Sequence, residues 1–311
     1  MIVTKNLKNA KSKEPSILTL GTFDGVHQGH KKIIKQLINE SRKNNLRSFI
    51  LTFFPHPRNV LKSNSEVKSI STLEEKTEIF SKLGVQELII QDFDKSFSSM
   101  TAGEFIELLV NNLNLKKIIV GFNHKFGKNR SADINVLKSY SFKYNFEVIE
   151  IKAFEIKDLE ISSTRIRNSI DNGNIERCNS FLGYNFNVLG KVIKGKSIGK
   201  SIGFPTANLD IIVNYKILPK NGVYLVKSTV EKKELYGMMN IGFNPTFGMN
   251  KKTIEVHFFN YNNDLYNKEI KVELLKFIRD EIKFETIEKL QTQLNSDREK
   301  CVNYINSTFN N

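Results

Sequence analysis

The chain has 311 residues, of which 40% are hydrophobic and 26% are charged, enough for two domains with buried cores. Its formal net charge of +14 is spread over both halves without a basic tail or a dense patch, so we expect a lysine-rich surface that steers anionic small substrates and no nucleic-acid partner. No apolar run approaches the roughly 18 residues of a membrane-spanning helix, and the polar residues 1–14 lack the apolar stretch of a secretory signal, so we expect no membrane partner.

The first 180 residues alternate short apolar runs with amphipathic segments. The runs predict strands and the segments predict helices, and the capping box Thr101–Glu104 marks one helix start. Strands that alternate with helices indicate βαβ units and a parallel sheet, whose ligands lie beyond the carboxyl ends of the strands. In chain order we predict strand 17–20, helix 31–44, strand 47–53, helix 73–83, strand 87–90, helix 105–112, strand 117–120 and strand 146–151.

The pattern changes near Gly183, which predicts two domains, 1–183 and 184–311, with a tight boundary. Between residues 184 and 277 helical periodicity is absent, and short runs separated by turns predict an antiparallel barrel or sandwich. Residues 285–306 return to a helical period. The predicted strands of this half are 186–193, 222–230, 236–241, 253–259 and 269–277.

Residues 21–30 lie where the first predicted strand ends and the first helix begins, and they read Gly-Thr-Phe-Asp-Gly-Val-His-Gln-Gly-His. A helix N-terminus presents free backbone N–H groups that favour a phosphate, and glycines let the backbone approach it closely. Histidines there can donate hydrogen bonds to phosphate oxygens. A metal-binding pair or two surface histidines are the alternatives. The predicted nucleotide-phosphate site comprises Gly21, Phe23, Asp24, Gly25, His27, Gly29 and His30.

This motif resembles the signature of the HxGH nucleotidyltransferases, in particular the N-terminal half of the bacterial bifunctional riboflavin kinase/FMN adenylyltransferases (FAD synthetases). Three later segments resemble the same family in the same order, namely Phe-Pro-His-Pro at 54–57, Gly-Phe-Asn-His-Lys-Phe-Gly at 121–127 and Ile-Ser-Ser-Thr-Arg-Ile-Arg at 161–167. The resemblance implies a Rossmann-like α/β domain that transfers AMP from ATP to FMN. The residues it implies are catalytic His27 and His30, nucleotide-binding Asn123, Ser163, Thr164 and Arg167, and flavin-binding Phe54, His56 and Pro57.

The third segment also has a reading of its own. The hydroxyls of Ser162, Ser163 and Thr164 predict caps at the start of a helix that runs to Asp171. Together with Arg165 and Arg167, which offer bidentate donors, they predict an anion site; an ordinary N-cap with surface arginines is the alternative.

A loop rich in glycine and lysine follows the first strand of the second domain and ends in Gly-Phe-Pro-Thr-Ala-Asn at 203–208. Such a loop suits phosphates, although its spacing is not that of a P-loop. Thr206 and Asn208 are two residues apart, so on extended backbone their oxygens face one side, and hard oxygen ligands beside nucleotide phosphates suit Mg²⁺. A polar turn after Pro205 is the alternative.

The run 203–208 resembles the hallmark of the riboflavin kinases, and further matches follow at 218–219, 222–224, 240–242, 245–247, 254–257, 277–279 and 284. The resemblance implies a small β-barrel with a C-terminal helix that phosphorylates riboflavin with Mg–ATP. It implies that Thr206 and Asn208 hold Mg²⁺ and that Glu255 is the general base for the riboflavin 5′-hydroxyl, where a surface strand carboxylate is the alternative. The remaining implied residues are Gly195, Lys200 and Gly203 for the nucleotide and Arg279 for the flavin.

Four positions depart from the family pattern. His124 and Lys125 stand where many relatives carry aromatic or small polar residues, and Lys200 and Asn244 stand where relatives usually carry arginine. Lysine keeps the charge of arginine but loses its bidentate fork. We expect these positions to affect nucleotide or flavin contacts and not the identity of the reactions.

Together the motifs predict a bifunctional enzyme that makes FMN from riboflavin and ATP and then FAD and pyrophosphate from FMN and a second ATP. The expected cofactor is Mg²⁺, and FAD-requiring apoenzymes are expected product acceptors. The cysteines, Cys178 and Cys301, are far apart without metal-binding spacing, which favours free thiols and a cytoplasmic location. The alternatives are a monofunctional kinase with an inactive first domain, a transferase for another phosphate ester with a flavin-binding barrel, and a nucleic-acid-binding barrel.

Overall fold

The chain folds into two units, Met1–Ser163 and Thr164–Asn311. The computed structural model describes residues 1–61, 66–122, 124–152, 155–156, 159–195, 198–243 and 252–309. Within these ranges, no helix is both long enough and apolar enough to cross a membrane.

A six-stranded parallel sheet with strand order β1-β4-β3-β2-β5-β6 forms the first unit. Because β2 pairs with β3 on one side and with β5 on the other, the strand order reverses beside β2, and ligands of such sheets bind at this switch point. The sheet confirms the predicted α/β fold, and β1 is an edge strand that was not predicted. The strands are β1 (Ile2–Lys5), β2 (Ser16–Leu20), β3 (Arg47–Phe54), β4 (Glu87–Asp92), β5 (Leu115–Gly121) and β6 (Glu147–Ile151).

Helices cover both faces of this sheet. Adjacent residues of β2 point to opposite faces, so Ile17 packs with the buried side of α1 and α3, whereas Leu18 packs with α5 and α6. Burial on both faces explains why the central strands are continuous apolar runs. The helices are α1 (Gln28–Lys43), α2 (Pro57–Leu61), α3 (Leu73–Lys82), α4 (Lys95–Ser98), α5 (Ala102–Leu113) and α6 (Ile134–Tyr144).

Capping boxes begin two of these helices. At α5 the Thr101 hydroxyl accepts from the backbone N–H of Glu104, and the Glu104 carboxylate accepts from the backbone N–H of Thr101, as predicted. Thr72 and Glu75 form the same arrangement at α3. Both helix starts are therefore fixed by local sequence.

A closed antiparallel barrel with strand order β10-β13-β12-β11-β14-β9 forms most of the second unit. This confirms the predicted barrel. β10 was not among the predicted strands, yet it closes the barrel by pairing with both β9 and β13. The strands are β9 (Asn187–Ile193), β10 (Ala207–Ile211), β11 (Gly222–Val230), β12 (Lys233–Phe243), β13 (Lys252–Phe258) and β14 (Glu269–Arg279).

Short elements and one long helix complete the chain. A two-stranded hairpin precedes the second unit, and the C-terminal helix α10 packs Leu290, Leu294 and Cys301 against apolar side chains of the barrel, as its predicted period requires. Cys178 and Cys301 are free and buried. These elements are β7 (Glu155–Ile156), β8 (Leu159–Glu160), α7 (Ser163–Asp171), α8 (Ile175–Leu182), α9 (Ile198–Ser201) and α10 (Ile287–Phe309).

A buried ion pair joins α10 to the barrel. Arg279 at the end of β14 donates from Nε to the Asp297 carboxylate at 2.7 Å, and Gln293 donates to the other carboxylate oxygen at 2.8 Å. The Asp297 side chain is fully buried and that of Arg279 is 14% exposed. Because both carboxylate oxygens are bonded, the charge of Asp297 is compensated where solvent cannot reach it.

Replacing Asp297 should therefore destabilise the second unit. Asp297→Ala leaves the largely buried Arg279 guanidinium without its carboxylate partner, and we expect a loss of about 3 kcal/mol in the free energy of unfolding, measured by urea denaturation of the full chain. Lys289→Ala, on the same helix, is the control, because it removes only an exposed ion pair with Glu285, just before that helix, and should change the midpoint little. Equal midpoints for the two variants would contradict this role.

Candidate active sites

The segment between β2 and α1 forms a tight turn with an unusual backbone. Phe23, Gly25 and Val26 have positive φ values of 45°, 82° and 34°. Positive φ is costly for Phe and Val. Both side chains are nevertheless buried in the core, where Phe23 meets Phe80 edge to face at 5.7 Å. Core packing therefore holds the strained turn in place.

Polar groups from a neighbouring segment fix the same turn. The Asp24 carboxylate accepts from the backbone N–H groups of Ile70 and Ser71 at 2.9 and 3.3 Å, and the Ser71 hydroxyl accepts from Gly25 N–H at 3.0 Å. The Ser163 hydroxyl donates to the Asp24 carbonyl at 2.9 Å. The carboxylate of Asp24, which was predicted to bind nucleotide, thus holds the loop in place through its bonds to backbone N–H groups.

Lys76 is a buried cation that the sequence analysis missed. Its ammonium group donates to the Thr22 carbonyl at 3.2 Å. Burial lowers the pKa of Lys76, whereas the nearby Asp24 carboxylate raises it. A signal existed in the sequence, because Lys76 lies four residues before the buried Phe80 and hence on the core-facing side of α3.

His27 and His30 lie together at the start of α1. His27 is the N-cap, its Nδ1 accepts from the backbone N–H of His30 at 3.3 Å, and the two rings stack with centroids 3.5 Å apart. Burial lowers the pKa of His27 to about 4. Burial, followed by the charges of His27 and Lys76, holds the pKa of His30 well below its usual value. Both rings are therefore neutral near pH 7, and Nδ1 of His30 is buried with no hydrogen-bond partner within the described ranges.

Two neighbouring strand ends bring other predicted residues to the same edge of the sheet. Phe54 ends β3 and Pro57 begins α2, and between them Nδ1 of His56 accepts from the backbone N–H of Arg58 at 3.2 Å. On the other side of β2, the segment after β5 carries His124, whose ring stacks on Phe126 at 6.0 Å. The adjacency follows from parallel strands ending at one edge.

The remaining predicted residues of the first site are placed as follows. Asn123 lies outside the described residues. Gly21 directly follows β2, and Gly29 lies in the first turn of α1. Ser163 ends the first unit, whereas Thr164 and Arg167 lie on α7 in the second. Burial lowers the pKa of His124 to about 4.

The second site gathers oxygen atoms where β10 meets β13. Asn208 pairs directly with Glu255 in the ladder, and the Thr206 hydroxyl donates to the Glu255 carboxylate at 3.2 Å. Gly195 lies against Asn208 so closely that a methyl group there would overlap the Asn208 amide. The structure thus brings together four of the predicted site residues, Gly195, Thr206, Asn208 and Glu255.

These donors suit the metal that the family implies. A hydroxyl, an amide oxygen and a carboxylate are hard ligands that Mg²⁺ accepts, and Mg²⁺ usually keeps water and phosphate oxygens as its other ligands. A cluster of three or more His, Cys, Asp or Glu side chains is absent from the described residues, which is compatible with such a sparse protein contribution.

The other predicted residues of the second site have separate surroundings. Gly203 has a φ of 82°, which favours glycine, and Lys200 lies in α9. Arg279 is bonded to Asp297, as described above. Asn244 lies outside the described residues.

Comparison with known proteins matches a different family to each of the two parts of the chain. The FAD synthetase family matches residues 9–165, and the riboflavin kinase family matches residues 182–305. The bifunctional riboflavin kinase/FMN adenylyltransferase of Buchnera aphidicola (subsp. Schizaphis graminum) is 38% identical over 306 residues, covering 97% of each chain. The protein of the same name from Escherichia coli K12 is 34% identical over 294 residues, covering 94% of this chain and 93% of that one.

One solved structure has the same fold over nearly the full length. The crystal structure of a macrolide-efflux protein from Streptococcus pneumoniae has a TM-score of 0.90 at 32% identity, covering 97% of this chain and 99% of that one. This likeness shows that the two chains share a fold. The activity in that protein's name is said of that protein alone. With both families matched in order and curated relatives above 30% identity along nearly all of the sequence, the chain belongs to the bifunctional riboflavin kinase/FMN adenylyltransferase family.

Proposed function

We propose that the barrel phosphorylates riboflavin at the Glu255 site and that the parallel-sheet domain adenylylates FMN at the His27–His30 site. The family carries both reactions, giving FMN first and then FAD and pyrophosphate. The observation that supports the kinase assignment most directly is the hydrogen bond between Thr206 and Glu255 beside Asn208. We place the functional boundary near residue 183.

Phosphorylation of riboflavin requires removal of a proton. The 5′-oxygen forms a bond to the γ-phosphorus of ATP while the bond to the ADP oxygen breaks, and the Glu255 carboxylate takes the hydroxyl proton. Thr206 and Asn208 would hold Mg²⁺, which neutralises charge on the phosphates when bound. Because the Thr206 hydroxyl donates a hydrogen bond to Glu255, the lone pairs of its oxygen point elsewhere and can bind a cation.

Adenylyl transfer to FMN needs no proton acceptor, because the FMN phosphate is already ionised. A phosphate oxygen attacks the α-phosphorus of ATP and pyrophosphate leaves. Nδ1 of His27 accepts from the backbone, so its proton lies on Nε2, from which it can donate to a phosphate oxygen. The N-terminus of the 16-residue helix α1 adds backbone donors and a partial positive charge.

Other roles rest on motif resemblance alone. We assign nucleotide binding to Asn123, Ser163, Thr164 and Arg167 and to Gly195, Lys200 and Gly203, and flavin binding to Phe54, His56, Pro57 and Arg279. A cytoplasmic location and FAD-requiring apoenzymes as acceptors belong to the same proposal.

Removing either histidine should abolish FAD formation and spare FMN formation. For His27→Ala and His30→Ala we expect FAD output from FMN and ATP to fall at least about 100-fold, because preorganised donors to the reacting phosphates are lost. Products are separated by chromatography after incubation with riboflavin, ATP and Mg²⁺. Asn39→Ala, on the exposed face of the same helix, is the matched control. Undiminished FAD output in both histidine variants, or a wild-type chain that makes FMN alone, would contradict the assignment.

The complementary variant is Glu255→Gln, which keeps the side-chain shape and removes the base. Riboflavin phosphorylation should fall at least about 100-fold, whereas adenylylation of added FMN persists. Glu269→Gln, an exposed carboxylate on barrel strand β14, is the control and should leave both rates unchanged. If Glu255→Gln phosphorylates riboflavin at near the wild-type rate, the base is another group.

A further inference from the structure

We propose that His257 is a positioning residue for riboflavin phosphorylation, because its imidazole fixes the backbone of Pro205 and thereby keeps Thr206 beside Glu255. The inference rests on the kinase site proposed above and adds to it a side chain that does not contact the reacting atoms. His257 is the last residue of the motif segment 254–257.

The central contact is a hydrogen bond from His257 to the loop. Nδ1 of His257 lies 2.9 Å from the Pro205 carbonyl oxygen. A carbonyl oxygen only accepts, so Nδ1 carries the proton. Because β10 begins at Ala207, the bond holds the loop immediately before its ladder pairing starts.

Aromatic neighbours determine the orientation of the ring. Phe204 meets the imidazole edge to face with centroids 5.1 Å apart, and Phe259 does so at 6.0 Å. The Arg298 guanidinium lies 5.8 Å above the Phe259 ring. Phe204 is itself buried in the core, and its backbone N–H donates to the Gly199 carbonyl at 2.8 Å. The imidazole of His257 therefore joins strand β13 to a loop that the Phe204–Gly199 hydrogen bond also holds.

The strand period links this contact to the proposed base. Glu255 and His257 are two residues apart on β13, so their side chains leave the same face of the strand. Opposite them, the consecutive residues Pro205 and Thr206 bond to His257 and Glu255 respectively. Two adjacent cross-contacts thus hold the loop against β13, and loss of the first removes the one that lies directly before Thr206.

This arrangement predicts an effect on rate without direct contact to substrate. A displacement of about 1 Å in a positioned group can cost on the order of 100-fold in rate. Because Thr206 is the residue displaced, the interaction with Mg–ATP should weaken while that with riboflavin does not.

The test compares two replacements of His257 in the full chain. His257→Leu fills space but cannot donate, whereas His257→Asn places an amide nitrogen at the same number of bonds from Cα as Nδ1. We expect His257→Leu to lower kcat for riboflavin phosphorylation by about 10–100-fold and to raise KM for Mg–ATP, with the riboflavin KM unchanged. His257→Asn should retain most of the wild-type rate, and adenylylation of added FMN should be unaffected in both.

A second readout needs neither nucleotide nor metal. In a ¹⁵N spectrum of the histidine-labelled chain, the signals of His257, one of five histidines and identified by their loss in His257→Asn, should show a protonated Nδ1. An unprotonated Nδ1 would overturn the proposal.

Glu255→Gln separates failure of this inference from failure of the kinase assignment. If Glu255→Gln is inactive and His257→Leu is near wild type, His257 has no positioning role. If His257→Asn and His257→Leu are equally impaired and equally lowered in melting temperature, the imidazole only fills the core. If Glu255→Gln is itself near wild type, the proposed kinase site is wrong and the role of His257 is withdrawn with it.

Discussion

Polar side chains that bond to loop residues hold both candidate sites in place. Strands and helices satisfy their own backbone groups, whereas a loop that approaches phosphates has no ladder to fix it. In the first unit the Asp24 carboxylate, which lies in the turn, accepts from the backbone N–H of Ile70, and the Lys76 ammonium donates to the Thr22 carbonyl of the turn. In the barrel, His257 and Glu255 bond to the loop before β10. The geometry of each site therefore depends in part on side chains, Lys76 and His257 among them, that take no part in the proposed chemistry.

Under the proposed function, the two sites differ in residue type because the two reactions differ in proton balance. Phosphorylation of a hydroxyl releases a proton, and the barrel offers the carboxylate of Glu255, two residues from a bonded histidine. Adenylylation of a phosphate releases none, and the first unit offers His27 and His30, which burial keeps neutral. Neutral donors can stabilise developing charge without themselves taking up a proton, so general-base chemistry is needed only in the barrel.

Local patterns predicted the elements whose stability is local. The apolar run of β2, the capping box at Thr101 and the period of α10 each follow from a few consecutive residues, and the structure has all three. β10 was missed although its sequence, Ala-Asn-Leu-Asp-Ile, alternates apolar and polar residues, because the run is short, follows a proline and contains Asn and Asp, which are depleted in strands. Its strand conformation comes from closing the barrel between β9 and β13, which no local pattern shows.

The same limit applies within the sites. Motifs located His27, His30, Thr206 and Glu255 because these lie in short signatures, and the structure adds how they are held. The bond from Asp24 to Ile70 spans 46 residues, and such a contact is set by packing of α3 on the sheet. Loop contacts between residues so far apart in the sequence can be identified only once the fold is known.

Arg279 shows how a residue chosen by motif acquires a second constraint from packing. A guanidinium has five N–H donors, and the described contacts use Nε for Asp297 and Nη1 for the Asp280 carbonyl. The Cζ atom of Arg279 also lies 5.8 Å from the centroid of the Phe284 ring. A flavin contact must therefore use the donors that remain, in an orientation that Asp297 determines. Helix α10 and Arg279 are thus coupled, so under the proposed function a change at Asp297 acts on stability and on flavin affinity through one side chain.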